Sequence, residues 1–311
     1  MQKKSNADSK LIWIDGELVP YAEANIHILS HTLHYGTGAF EGIRAYQTTR
    51  GATAIFRAAE HFERFVDSIR VLGGETNYTI SDYTAAACRT IRANDLRECY
   101  VRPLAFLDDS YRGLRLPDKP KFHTAIAVWP WGKYMGDDGQ DKGIRVMIST
   151  LRRLDVSSTM PFAKLTGAYI GGVLARREAT KNGLDEAILL DPNGYVAEGS
   201  GENLFMVKKG VIYTPPQGHI LPGVTRDSVL SIAKHLGIET RETPLIRNQL
   251  YTADELFFSG TAVEVTPIVE VDHYRIADGR PGPIAKQVMS AFFQCVRGEN
   301  PKFKHWLTEI E

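Results

Sequence analysis

The chain has 311 residues, 43% of them hydrophobic and 24% charged, with 37 basic and 37 acidic side chains that cancel to a net charge of zero. That length exceeds one ordinary core, so two domains are expected, and the balanced charge argues against nucleic acid or an anionic membrane surface as partner. Three cysteines without paired spacing (Cys88, Cys99 and Cys295) and the lack of any apolar run near the roughly 20 residues of a bilayer span point to a cytoplasmic protein; the polar segment 1–10 does not have the apolar stretch of a signal peptide.

Leu11-Ile-Trp-Ile, Asp15-Gly16 and Glu17-Leu-Val predict a hairpin, because Asp-Gly accepts the positive φ angles of a tight primed turn. Over 61–72 the apolar Phe62, Phe65, Val66 and Ile69 fall at i, i+3, i+4 and i+7, one helical face closed by Gly73-Gly74. Ser81 is expected to cap a second helix through Ala93, and 99–107 and 122–129 are apolar enough for core strands. The stretch 132–143, with four glycines and three aspartates, predicts a link. It is placed at 135–142, between a small N-terminal α/β domain (1–134) and a large C-terminal domain (143–311). Beyond it come a strand from Gly143, a helix over 168–182, short strands at 187–190, 195–198, 203–207 and 211–213, and a helix from Arg226 that buries Val229, Ile232, Ala233 and Leu236. Strands and helices mix without strict alternation, so the expected class is α+β rather than doubly wound.

Chemistry gathers in a few places. Lys164 lies in Pro161-Phe-Ala-Lys-Leu-Thr-Gly-Ala-Tyr169, and Glu198 follows in Glu198-Gly-Ser-Gly-Glu-Asn-Leu-Phe205. A free lysine, with a pKa near ~10.4, is protonated at neutral pH and serves poorly as nucleophile or base. Tied to a carbonyl cofactor as a Schiff base and released beside it, the same amine can move a proton. Gly223-Val224-Thr225 opens a helix whose first N–H groups have no internal partner and suit a phosphate. Taken singly, these residues also fit a surface lysine, a strand-end acid and an ordinary threonine cap. His27, His31 and His34 keep open a zinc hydrolase, although 25–30 reads better as loop or strand and no glutamate lies inside the spacing; no metal is expected.

In order along the chain, these segments together with Leu221-Pro-Gly-Val-Thr-Arg-Asp227 and Ser259-Gly-Thr-Ala-Val-Glu-Val-Thr-Pro267 resemble the fold-type IV pyridoxal phosphate enzymes. Within them, Tyr35-Gly-Thr-Gly-Ala-Phe-Glu-Gly-Ile-Arg-Ala-Tyr46 and Tyr100-Val-Arg102-Pro resemble the branched-chain amino acid aminotransferases, and the likeness runs from about Trp13 to about Gly298. The resemblance implies a two-domain fold with an interdomain cleft for pyridoxal 5'-phosphate (PLP). It implies ping-pong transamination of leucine, isoleucine and valine with 2-oxoglutarate, in a homodimer or larger homo-oligomer. Lys164 would carry the cofactor and Glu198 hold its ring nitrogen, with Arg64, Tyr169, Asn203, Val224, Thr225 and Thr261 completing the cofactor site. Tyr35, Phe40 and Arg44 would surround the substrate side chain, joined by Trp131 and Tyr134. Tyr100 and Arg102 would stand on the carboxylate side, and Thr261 and Ala262 would offer N–H groups to the α-carboxylate. Two departures stand out: Ala168 replaces the usual asparagine of Gly-Asn-Tyr, and Arg112 stands where a small or apolar residue is usual. Arg112 could grip the second carboxylate of the acceptor, face solvent in a mobile loop, or mark a specificity shifted towards (R)-amines or D-amino acids. The lyase branch of the same fold type shares the Lys164 and Glu198 signatures.

Overall fold

The computed structural model describes residues 9–132 and 139–310, so Tyr134 and part of the expected link lie outside the described residues. The chain divides into two compact units. One comprises Met1–Trp131, Ala163–Gly167 and Cys295–Glu311, the other Gly132–Phe162 and Ala168–Gln294.

In the first unit, Asp15 and Gly16 take φ angles of 47° and 103° and turn β1 (Leu11–Ile14) back into β2 (Glu17–Pro20), as the Asp-Gly pair predicts. There follow α1 (His31–Tyr35), β3 (Ala39–Phe40), β4 (Ile43–Gln47), β5 (Thr53–Phe56), α2 (Ala58–Val71), α3 (Ile80–Ala93), β6 (Cys99–Phe106) and β7 (His123–Pro130). The sheet runs last strand–β5–β4–β6–β7–β1–β2, where the last strand is Leu307–Ile310 and β3 pairs separately with β6. The pairing of Leu307–Ile310 along β5 brings the end of the chain into this unit, whereas the expected large domain ran on to residue 311.

Phe62, Phe65 and Ile69 of α2 are fully buried, as their spacing predicts, and pack with Tyr83 of α3 and with Val101 and Ile126 of the sheet. Burying each such side chain contributes about 1.5–3 kcal/mol, and the Tyr83 ring adds stacked and edge contacts to Phe62 and Phe65 at 5.7 and 5.3 Å. The cap of α3 is Thr79 rather than Ser81. Thr79 Oγ1 accepts from Asp82 N, and Asp82 Oδ2 accepts from Thr79 N at 2.8 Å, a reciprocal box that Ser81, already inside the helix, cannot form.

The second unit comprises α4 (Gly139–Lys142), β8 (Ile144–Arg152), α5 (Ile170–Lys181), β9 (Glu186–Leu190), β10 (Val196–Gly199), β11 (Asn203–Lys208), β12 (Val211–Thr214), α6 (Val224–His235), β13 (Thr240–Glu242), α7 (Arg247–Tyr251), β14 (Glu255–Gly260), β15 (Glu264–Val271), β16 (Tyr274–Arg275) and the start of α8 (Pro283–Val296). Its nine-stranded sheet is mixed: β8 runs parallel to β9 and β15, and most other pairs are antiparallel. Parallel and antiparallel pairs within one sheet fit the α+β expectation. An extra pairing of β10 with β11 joins the ends of the path β10-β9-β8-β15-β14-β11, so six strands close into a ring. Glu198 opposite Asn203 is the registered pair at that closure. Among the described residues no helix is long and apolar enough to cross a membrane.

Candidate active site

Lys164 is held by its backbone. Phe40 N of β3 donates to Lys164 O at 3.0 Å, and Lys164 N donates to Ser68 Oγ of α2 at 2.9 Å. The Ala39–Leu165 bridge continues this pairing, which is why 163–167 belongs to the first unit. Lys164 Nζ lies 5.1 Å from the centre of the Phe40 ring, within cation–π range.

One turn before Ser68 on the same helix, Arg64 points its guanidinium at Glu41, the residue after Phe40. Nε donates to Oε1 at 2.7 Å and Nη2 to Oε2 at 3.0 Å, a bidentate fork. His61, one turn earlier again, donates Nδ1–H to Glu41 Oε2 at 2.8 Å. Burial, the largest single influence, would raise the Glu41 carboxyl, but the charges and hydrogen bonds of Arg64 and His61 together outweigh it and hold the group far below the usual carboxylate range. Burial depresses His61 against the pull of Glu41, so the imidazole is neutral at neutral pH. Arg64 therefore projects from α2 with a fixed plane, as a phosphate-binding arginine requires. The sequence motif singles out Arg64; Glu41, 23 residues away, emerges only from the fold.

Residues expected on the substrate side share one face of the first unit's sheet. Arg44 of β4 lies opposite Tyr100 of β6, which lies opposite Trp129 of β7. The Tyr100 ring packs on Trp129 and Trp131 at 5.2 and 4.7 Å, and the Arg102 guanidinium sits over the Phe40, Tyr100 and Trp129 rings at 5.0, 5.2 and 5.7 Å. Phe40, Tyr100, Arg102 and Trp131 thus come together. Trp129 joins them although no motif marks it; its two-residue spacing from Trp131 in a strand was the available signal. Tyr35, at the end of α1, is 47% exposed.

In the second unit Glu198 is 5% exposed and surrounded by donors. Arg153 Nη2 lies 2.9 Å from Oε1, while Asn203 Nδ2 and Leu221 N donate to Oε2 at 3.2 and 3.1 Å. The register of β10 shifts between Val196 and Glu198, a bulge that re-aims the strand just before the acid. Asn203 also donates to Leu221 O at 3.0 Å, and its Oδ1 would lie 2.1 Å from any Cβ on Gly223, so only glycine fits at the start of α6. Val224 and Thr225 are buried in the first turn of that helix, which begins two residues before the expected Arg226. Thr261 and Ala262 form the turn between β14 and β15, and Tyr169 caps α5. Arg153 went unmarked in the sequence, where it is one of two arginines ending a strand.

Arg112 is more than half exposed and folds onto its own loop, donating to Asp109 O and, at 3.0 Å, to Tyr111 O. The three histidines do not converge. His31 bonds Thr37 Oγ1 and Gly113 O at 2.7 and 2.8 Å, His34 bonds Ile28 O at 3.0 Å, and His27 lies 3.8 Å from Asp109. Among the described residues no group of three or more side chains is arranged to hold a metal.

The chain belongs to the amino-transferase class IV family, whose model matches residues 38–271. It is 45% identical over 301 residues to a branched-chain-amino-acid aminotransferase of Pseudomonas aeruginosa, covering 97% of each chain. The crystal structure of the Escherichia coli branched-chain amino acid aminotransferase superposes with a TM-score of 0.95 at 41% identity, over 97% of this chain and 100% of that one. The branched-chain amino acid aminotransferase from Thermobaculum terrenum, solved in its PLP-form, gives a TM-score of 0.90 at 31% identity, over 98% and 99% of the two chains.

Proposed function

We propose that this protein is a PLP-dependent branched-chain amino acid aminotransferase acting on leucine, isoleucine and valine with 2-oxoglutarate as acceptor. The observation that carries this reading is its likeness, over nearly the full length of both chains, to relatives of that name. The same likeness favours it over an (R)-amine or D-amino acid transaminase and over a lyase.

Each unit offers groups that suit the cofactor: in the first, an arginine fixed by Glu41 and a lysine with an anchored backbone; in the second, a helix start for phosphate and a buried acid for a ring nitrogen. When bound, PLP supplies an electron sink for the charge left at the substrate Cα. Lys164 Nζ takes the Cα proton and later returns one. Glu198, itself steadied by Arg153 and Asn203, keeps a proton on the ring nitrogen. Arg64 and the N–H groups of Val224 and Thr225 hold the phosphate, while Tyr169 leans on the phenolic oxygen. The N–H groups at Thr261 and Ala262 hold the α-carboxylate, with Tyr100 and Arg102 beside it. Aromatic walls at Tyr35, Phe40 and Trp131, with Arg44 alongside, exclude water from a branched aliphatic side chain.

We place the working unit as a homodimer or larger homo-oligomer. Ile26, Ile28, Leu29, Leu33 and Tyr35 are each 43–69% exposed within one short stretch, an apolar surface that a second copy would cover.

An amino-donor panel tests the reading. L-Leucine, L-isoleucine and L-valine are expected to turn over with 2-oxoglutarate at least about tenfold faster than D-alanine or (R)-1-phenylethylamine; a reversed preference would sink it. Arg112 is assigned to the second carboxylate of the acceptor. Arg112→Ala is expected to raise KM for 2-oxoglutarate about tenfold, the worth of one charge-assisted hydrogen bond, and to leave KM for leucine unchanged. An unaltered KM for 2-oxoglutarate removes Arg112 from the site.

A further inference from the structure

Beside Glu198 the second unit buries two more acids. Glu186, at the start of β9, is fully buried; Oε1 accepts from Ala187 N at 2.7 Å, and Oε2 lies 3.4 Å from Arg176 Nε of α5. Glu202 is 5% exposed, and its Oε2 accepts from Gly201 N at 3.0 Å. Among the described residues it forms no ion pair. The turn it serves is tightly held. A Cβ on Gly172 of α5 would lie 2.3 Å from Ser200 O, and one on Gly199 would lie 2.6 Å from Glu202 Oε2. Backbone and carboxyl thus grip 199–201 from two sides.

The charges here do not balance. Arg153 is paired with Glu198 and Arg176 with Glu186, which leaves Glu202 to a backbone amide. A buried carboxylate lacking a cation is costly, and such a group takes up a proton instead. We infer that Glu202 is a positioning residue for the transamination, kept as a neutral acid that braces the Gly199–Gly201 turn without adding a second negative charge beside Glu198. The inference rests on the role proposed for Glu198. The surroundings agree with it. Burial, then repulsion from Glu186, push Glu202 up to about 8, with Glu198 adding to the rise and the Gly201 amide and Arg176 opposing it. Glu186 is raised as well, by burial first, against its Ala187 and Arg176 contacts.

The test uses holoenzyme and two variants. Glu202→Gln matches the size and charge of the protonated acid, whereas Glu202→Ala removes the brace. An acid raised in the folded state lends its stability fully below its ordinary value of 4.5 and loses it as pH climbs towards about 8. The Tm of E202Q relative to wild type is therefore expected to rise steadily across that window. A protonated-carboxyl C=O infrared band, present in wild type near pH 6.5, is expected to be missing from E202Q. E202A is expected to lose about tenfold in kcat with leucine, and E202Q to recover most of it.

A Tm difference that ignores pH, or wild-type and E202Q spectra without a differing carboxyl band, overturns the neutral acid. Full kcat in E202A, or an E202Q as impaired as E202A, overturns the positioning role. Failure of the Glu198 reading would show separately, as undiminished kcat in an E198Q variant with the Glu202 thermal profile intact.

Discussion

Lys164→Ala is expected to abolish turnover, with kcat lowered by at least about 10⁴-fold, because one amine is proposed to serve both as the cofactor's covalent tether and as the base at Cα. The fold should survive. Lys164 is anchored through its backbone, N to Ser68 Oγ and O from Phe40 N, and alanine keeps both bonds. What disappears is the ammonium over the Phe40 ring, a contact worth about 0.5–1 kcal/mol if exposed. The variant should thus melt within a few degrees of the parent, yet borohydride should no longer fix cofactor to the chain. Substantial residual transamination in a folded K164A protein would contradict the assignment.

Glu198→Gln is expected to lower kcat about 10- to 100-fold, the value of one charge-assisted hydrogen bond felt in the transition state. The neighbours make this substitution harsher than its size suggests. Arg153, Asn203 and Leu221 all aim N–H groups at the two carboxylate oxygens, so an amide NH₂ must face another donor whichever way it turns. Proton removal should suffer more than cofactor retention, since the phosphate is proposed to rest on other residues, Arg64 and the start of α6. An enlarged isotope effect with α-deuterated leucine, alongside a modest change in cofactor dissociation, would show this split. An unchanged kcat would remove Glu198 from the chemistry.

Local features of the sequence carried over well into structure. The 62–65–66–69 spacing became the buried face of α2, and Asp15-Gly16 became a hairpin turn, because each is decided by residues within one or two turns. The α3 cap is equally local, a Thr79-x-x-Asp82 box that starts two residues before Ser81. Lys164, Glu198 and the Gly-Val-Thr helix start were legible because they sit in contiguous motifs. Their supports were not. Glu41 meets Arg64 across a strand–helix contact, Arg153 meets Glu198 across strand ends, and Leu307–Ile310 finds β5 from the far end of the chain. Such pairings depend on topology, and nothing in the residue order of a single chain announces them.

The closure of six strands at Glu198 and Asn203 has a further result. Where a sheet shuts upon itself, neither member of the joining pair can slide by a residue without unzipping its neighbours on both sides, so the register there is fixed from two directions. The acid proposed to set the cofactor's electronics therefore sits at the pair that shuts the ring. Loops elsewhere can lengthen or reshape to admit other substrates while the distance between that acid and the amide beside it stays constant.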